Sequence, residues 1–162
     1  MAIEKVRAYF KQYNMDNEIL EFDTSSATVE LAAQALHCEP AHIAKTLSFR
    51  RDDGCLIVVM AGDAKIDNKK FKQKFGIKAR MLSAEEVDTM VGHAIGGVCP
   101  FAINPDIPVY LDISLRRFTT VFPACGSGNS AIELTCDQLE KFANALEWAD
   151  VCKGWQEEQP AQ

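Results

Sequence analysis

Long apolar runs are missing from this sequence, and none nears the roughly 18 residues of a membrane-spanning helix. A membrane is therefore not an expected partner. The first residues, MAIEKVRAYFKQY, spread charge along the segment and lack the apolar block of a secretory leader, so a cytoplasmic address is expected. Histidine is scarce, with three residues, and His37 and His42 have no ligand-like company. The six cysteines are scattered without a C-x-x-C, which argues for free thiols in a reducing compartment and gives a zinc site little support. Neither a P-loop nor a G-x-G-x-x-G occurs, which removes the common nucleotide-binding motifs. No internal repeat and no linker divides the chain. No metal and no cofactor is expected.

What is present suits one domain over residues 1–155, with 156–162 (QEEQPAQ) as a frayed tail without core-forming residues. The chain has 162 residues, enough to bury a full core, and 48% of them are hydrophobic. The formal net charge of -6 does not mark the whole protein as a polyanion binder. The charge is uneven, however. Seven of the 17 basic residues lie between Lys65 and Arg80, with Asp67 the single acid among them. Such a run is either a solvated helix face or a patch that steers phosphates.

Apolar spacing at Ile3, Val6, Phe10 and Tyr13 predicts a helix over 2–14. EILEF reads as a short strand. Thr28 can cap a helix reaching about His37, and Pro40 suits the first turn of a short helix running toward Lys45. TLSFR and CLIVVMAG, joined by RDDG, read as a hairpin. Asp67 caps a basic helix closed by Gly76, and Ser83 with Glu86 forms a capping box for a helix ended by Gly92. VYLDI, TTVFPA and SAIEL read as three strands. Thr135 and Gln138 start a last helix, Leu139 to Leu146. Hairpins mixed with helices, without regular βαβ alternation, predict a mixed α/β domain: one mixed sheet surrounded by helices.

Several residues could carry chemistry. Lys45 sits among Ile43, Ala44, Leu47 and Phe49, so its stem is buried; its ammonium either snorkels to solvent or serves a site. In GHAIGGVCPF, the adjacent Gly96 and Gly97 allow backbone N–H groups to converge on an anion or a carbonyl oxygen, or else form a plain hinge. Cys99 and His93 could meet as a thiol nucleophile and its base, though no orienting third group is recognisable. Asp63 ends an apolar strand, as a turn former or a site residue.

The ordered set AKTLSF, VVMAGDAKIDNKKFKQKFG, GHAIGGVCPF, PVYLDISL and GSGNSAIELTCDQL resembles the YbaK family, the prolyl-tRNA synthetase-associated editing domains. The likeness spans about Thr28 to Leu146. It implies one mixed α/β domain with a sheet curled around a pocket. It also implies hydrolysis of the ester joining a wrong amino acid, typically alanine or cysteine, to the proline tRNA, without a metal. The resemblance assigns the central role to Lys45, and backbone donors to the loop from Gly96 through Gly97 to Pro100. It places Thr28, Thr46, Asp63, His93, Val98, Pro100 and Phe101 around the substrate. The expected partners are the aminoacylated 3′ end of tRNA, with Lys69, Lys70, Lys72 and Lys74 on its phosphates, and prolyl-tRNA synthetase; DNA is not expected. Three departures stand out. Ala102 follows Phe101 where many relatives have glycine, Ala124 and Ala131 stand near a serine and an aspartate of some cysteine-specific deacylases, and the strand near Phe22 aligns loosely. Two other readings remain: a non-catalytic module that binds an aminoacyl group, and a hydrolase dependent on Cys99 and His93.

Overall fold

The computed structural model describes residues 2–155, so the expected tail at 156–162 lies outside the described residues. Helix α1 (Ala2–Lys11) buries Val6 and Phe10 completely. It ends before the expected residue 14, in a turn where Tyr13 N–H donates to Phe10 C=O. The short β1 (Leu20–Glu21) precedes α2 (Val29–Leu36), whose first turn is capped by Thr28 Oγ1 accepting from Leu31 N–H. A 3₁₀ turn, Pro40–His42, leads directly into β2 (Ile43–Arg51). Lys45 thus lies inside the strand rather than at a helix–strand junction, because the proline-led turn closes after three residues.

Strand β3 (Gly54–Ala61) returns antiparallel to β2, with Arg51 facing Gly54 across the expected Asp52–Asp53 turn. Asp52 takes a φ of +50° to make that turn. From Leu56 to Ala61 the strand is fully buried, as its unbroken apolar run requires of a central strand covered on both faces. Then come β4 (Lys65–Ile66) and α3 (Asn68–Phe75), with Asp67 accepting from the Lys69 and Lys70 N–H groups and Gly76 closing the helix at φ +77°. Helix α4 (Ala84–Glu86) carries the expected Ser83–Glu86 capping box and widens into a π turn, Val87–Val91, that stops at Gly92.

The second half supplies β5 (Val109–Asp112), a 3₁₀ turn (Ile113–Arg117), β6 (Thr120–Pro123), β7 (Ser130–Ala131), β8 (Leu134–Thr135), α5 (Cys136–Phe142), β9 (Glu147–Ala149) and β10 (Cys152–Lys153). The main sheet has six strands in the order β8-β6-β2-β3-β5-β9. Its β2–β3 and β6–β8 pairs are antiparallel, and β2–β6, β3–β5 and β5–β9 are parallel. Two ribbons, β1–β7 and β4–β10, flank it. The last helix starts at its Thr135–Gln138 capping box but ends at Phe142, because Glu147 to Ala149 extend to pair with β5.

A buried carboxylate ties this second half together. Asp112 is fully buried, and its oxygens accept from Ser114 N–H and Val151 N–H, both at 2.9 Å. Ser114 Oγ in turn accepts from Ala61 N–H at 3.1 Å, holding the end of β3. Asp112→Ala strands two buried backbone donors. The expected loss is roughly 2–6 kcal/mol, at about 1–3 per unsatisfied group, read as a lowered denaturant midpoint.

Candidate active site

One cavity of about 320 Å³ opens where the first half of β2, the start of α2, the 95–98 loop and the ends of β6 and β7 meet. Thr28, Lys45, Thr46, Gly96 and Val98 line it, so five of the expected site residues come together here. Most of the remaining wall is apolar, including Val29, Ile43, Leu47, Val87 and Phe122. Lys45 is the one charged side chain among the described lining residues; no carboxylate and no imidazole joins it.

The Lys45 ammonium has a weak protein partner: Nζ donates to Gly62 C=O at 3.4 Å. Burial pulls its pKa below the usual 10.5 of lysine, and the nearby charge of Lys65 pulls the same way, against the fields of Asp63 and Glu30. Two hydroxyls in the wall, Ser26 Oγ and Thr46 Oγ1, are buried without a hydrogen-bond partner among the described residues. Both oxygens lie behind the cavity surface, closed off from solvent as well as from protein partners. Composition gave no sign of Ser26; it reaches the cavity because Ser26 N–H is held by Gly128 C=O at 2.7 Å.

The loop divides its labour. Gly96 takes φ +99°, and a Cβ there would lie 3.3 Å from the Ala27 Cβ. Gly97 is needed for a different reason. A Cβ there would sit 2.5 Å from Ser127 N, so its bareness lets two backbone segments touch. Its N–H already donates to Ala94 C=O at 3.1 Å, which leaves Gly96 and Val98, not Gly97, on the cavity wall. Pro100 and Phe101 are buried outside the lining, and the Phe101 ring packs edge-on against Phe10 at 4.8 Å. Ala102 adopts φ +53°, in the left-handed region that favours glycine.

Asp63 also stands outside the lining. It is gripped by Arg117, at 3.0 and 2.6 Å. Of the four α3 lysines, Lys70 pairs with Asp150 at 3.0 Å and Lys74 with Glu147 at 2.9 Å, while Lys69 and Lys72 are exposed. Among the described residues no group of three His, Cys, Asp or Glu side chains is arranged to hold a metal ion.

The thiol pair meets but cannot act. Cys99 Sγ lies 3.5 Å from His93 Nε2, and both residues are fully buried. The same Nε2 is 2.7 Å from Phe101 C=O. A carbonyl only accepts, so Nε2 carries the proton and cannot take one from the thiol. Burial lowers the His93 pKa and pushes the Cys99 thiol up to about 12. This geometry argues against the hydrolase reading built on Cys99 and His93.

With this geometry in view, the sequence profile of the aminoacyl-tRNA editing domain matches residues 23–142. The chain belongs to that family. A protein of Bacillus subtilis (strain 168), YwhH, whose function is uncharacterised, is 57% identical over 157 residues, covering 96% of this chain and all of that one. EbsC of Enterococcus faecalis (strain ATCC 700802 / V583), named as a candidate Cys-tRNA(Pro)/Cys-tRNA(Cys) deacylase, is 23% identical over 144 residues, 88% of this chain and 85% of its own. A crystal structure described as a candidate trans-editing enzyme for prolyl tRNA synthetase superposes with a TM-score of 0.84 at 28% identity, covering 94% of this chain and 98% of that one. The family supports an aminoacyl-tRNA editing role for this chain, and no described helix is long and apolar enough to cross a membrane.

Two outcomes follow from the loop. Ala102→Gly relieves the left-handed strain and should stabilise the fold by about 1 kcal/mol, seen as a higher unfolding midpoint. The second concerns alkaline pH. Below the ordinary thiol pKa of 9.0, Cys99 keeps its proton in both the folded and the unfolded chain. Above it the unfolded chain ionises first, so stability falls as pH rises toward about 12. Cys99→Ala should flatten that decline in denaturant titrations run from pH 8 upward.

Proposed function

We propose that this chain hydrolyses the ester joining a small uncharged amino acid, alanine or cysteine, to the 3′ end of the proline tRNA. The carrying observation is the Lys45 ammonium in a mostly apolar, acid-free cavity whose wall also holds Gly96 and Val98. The names carried by EbsC and by the trans-editing structure support the substrate class. They also support prolyl-tRNA synthetase as the enzyme whose errors are removed.

An aminoacyl ester is already activated, so hydrolysis can rest on placing water and stabilising the oxyanion. Lys45 supplies positive charge for the phosphate or the developing oxyanion. Its burial favours this use, since a desolvated charge interacts more strongly than an exposed one. The absence of a carboxylate or imidazole from the described wall leaves water activation to the substrate, whose neighbouring ribose hydroxyl can orient the attacking water. Ala124 and Ala131 keep the wall apolar where a charged side chain would otherwise find partners. Bulk is rejected by the same wall, as in a sieve.

The missing protein base also favours a second reading, a module that binds the aminoacyl end without turnover. Purified protein incubated with tRNAs charged with alanine, cysteine, serine and proline decides between them. Loss of alanyl or cysteinyl ester above the spontaneous rate, with prolyl-tRNA spared, supports the hydrolase; binding without ester loss supports the module. Lys45→Ala should lower kcat/KM ten- to a hundredfold, from roughly 1.5–3 kcal/mol for a charge-assisted contact. Because the buried Thr46 hydroxyl has no partner to lose among the described residues, the melting temperature of Thr46→Val should hold or rise.

A further inference from the structure

We infer that the β4–β10 ribbon is the track on which the sugar–phosphate strand of the tRNA end reaches the cavity, with Lys65 and Lys153 on its phosphates. The inference rests on the deacylase reading for the identity of the polyanion, and its surface is separate from the cavity and from α3.

The two lysines face each other directly in the antiparallel register of the ribbon. Both are exposed, and neither forms a salt bridge with a described residue. Like charges opposite one another across two strands destabilise the pair. The neighbouring cations are treated differently. Lys70 and Lys74 are matched by Asp150 and Glu147, Arg117 by Asp63, and the Arg116 guanidinium lies over the Trp148 ring at 4.0 Å. Lys69 and Lys72 on α3 are exposed without such a match among the described residues, as Lys65 and Lys153 are, but the ribbon pair stand directly opposite each other across two strands. Asp67, the nearby acid on the same connection, feels the charge of Lys153 but points its oxygen at the Lys69 and Lys70 N–H groups.

Position relative to the cavity is the second argument. The ribbon follows directly on the Gly62–Asp63 turn, and Gly62 C=O is the acceptor for Lys45. Gly154, next to Lys153, packs on the same turn; a Cβ there would lie 3.8 Å from Asp63 C=O. Lys65 is close enough for its charge to act on Lys45. The ribbon with Lys65 and Lys153 therefore leads away from the turn that holds Lys45. An open ribbon without a pocket suits an extended chain of phosphates rather than a small anion. Ammonium groups on flexible stems, rooted about 5 Å apart, can reach successive phosphates of one strand.

The test compares Lys65→Ala/Lys153→Ala with Lys69→Ala/Lys72→Ala. Each is assayed on full-length aminoacyl-tRNA and on a short aminoacyl-adenosine ester across a salt series. The ribbon variant should raise KM for the tRNA several-fold more than KM for the short ester. The slope of log affinity against log salt should become shallower by about 1.4, at about 0.7 per single-strand phosphate contact. Its melting temperature should rise, because a repulsive pair has gone, and a merely structural role could not combine greater stability with weaker tRNA binding. Unchanged KM and slope in the ribbon variant overturn the inference. If the loss appears only in the Lys69/Lys72 variant, α3 is the tRNA surface instead. Should the wild type hydrolyse no ester, the deacylase reading fails by itself. Binding of uncharged tRNA to wild type and ribbon variant then decides, and equal affinities overturn the track.

Discussion

The carbonyl oxygen of Pro40 occupies the space beside residue 62, and the rest of the site depends on that contact. A Cβ on Gly62 would lie 2.1 Å from this oxygen and 2.8 Å from Val29 Cγ1. Only a bare backbone lets the turn after β3 close against both the 3₁₀ turn before β2 and the first turn of α2. That closure brings α2 over the start of β2 and makes one wall of the cavity. It also sets Gly62 C=O within reach of the Lys45 ammonium. Behind it, Ser114 Oγ holds Ala61 N–H, and Asp112 holds Ser114. The buried carboxylate, the end of β3 and the cavity lysine are links in one chain of contacts.

Local signals in the sequence were those that a few neighbouring residues decide. Thr28, Asp67, Ser83 and Thr135 cap helices as expected, because each cap is a contact within a single turn. The two-residue turn at Asp52–Asp53 and the buried run of β3 were equally legible. What failed depended on distant partners. SAIEL looked like one strand but is two: Ser130–Ala131 pairs with β1 and Leu134–Thr135 with β6, with Ile132 N–H donating to Pro123 C=O between them. Strands β4, β9 and β10 have two or three residues each and no alternating pattern to announce them. Their reason to be extended lies on another part of the chain.

The site was legible to a similar depth. The family resemblance picked out Lys45 and the glycine loop, which share the cavity. It could not apportion the two glycines, since both readings of a bare backbone, close approach to a ligand and close approach to another loop, look the same in sequence. Gly97 proves to be the second kind, against Gly126 and Ser127. Nor could spacing alone separate a buried thiol from a reactive one. Cys99 and His93 do meet, and only the Phe101 carbonyl, which fixes the imidazole proton on Nε2, disarms the pair. Ser26 carries no motif in the sequence; it reaches the wall through its backbone contact to Gly128, and its buried oxygen has no partner among the described residues.

Electrostatically, the molecule keeps two kinds of lysine. Lys70 and Lys74 make exposed pairs, of a kind worth about 0–1 kcal/mol and readily screened by salt. Lys45 is desolvated instead, with a distant neutral carbonyl as its hydrogen-bond partner, and its lowered pKa records the unfavourable energy of that position. An anion entering the cavity, whether a phosphate or the oxyanion of an ester under attack, supplies the counter-charge that the wall withholds. Proton affinity and ligand affinity at Lys45 are therefore linked: whatever anion binds there raises the lysine pKa, and the charged lysine holds that anion more tightly. A carboxylate built into the wall would neutralise the lysine in advance and remove this gain. Catalysis by differential binding needs the interaction to be strongest when the negative charge develops; on the proposed deacylase reading, an unpaired ammonium in an apolar wall would keep that interaction in reserve for the reacting ester.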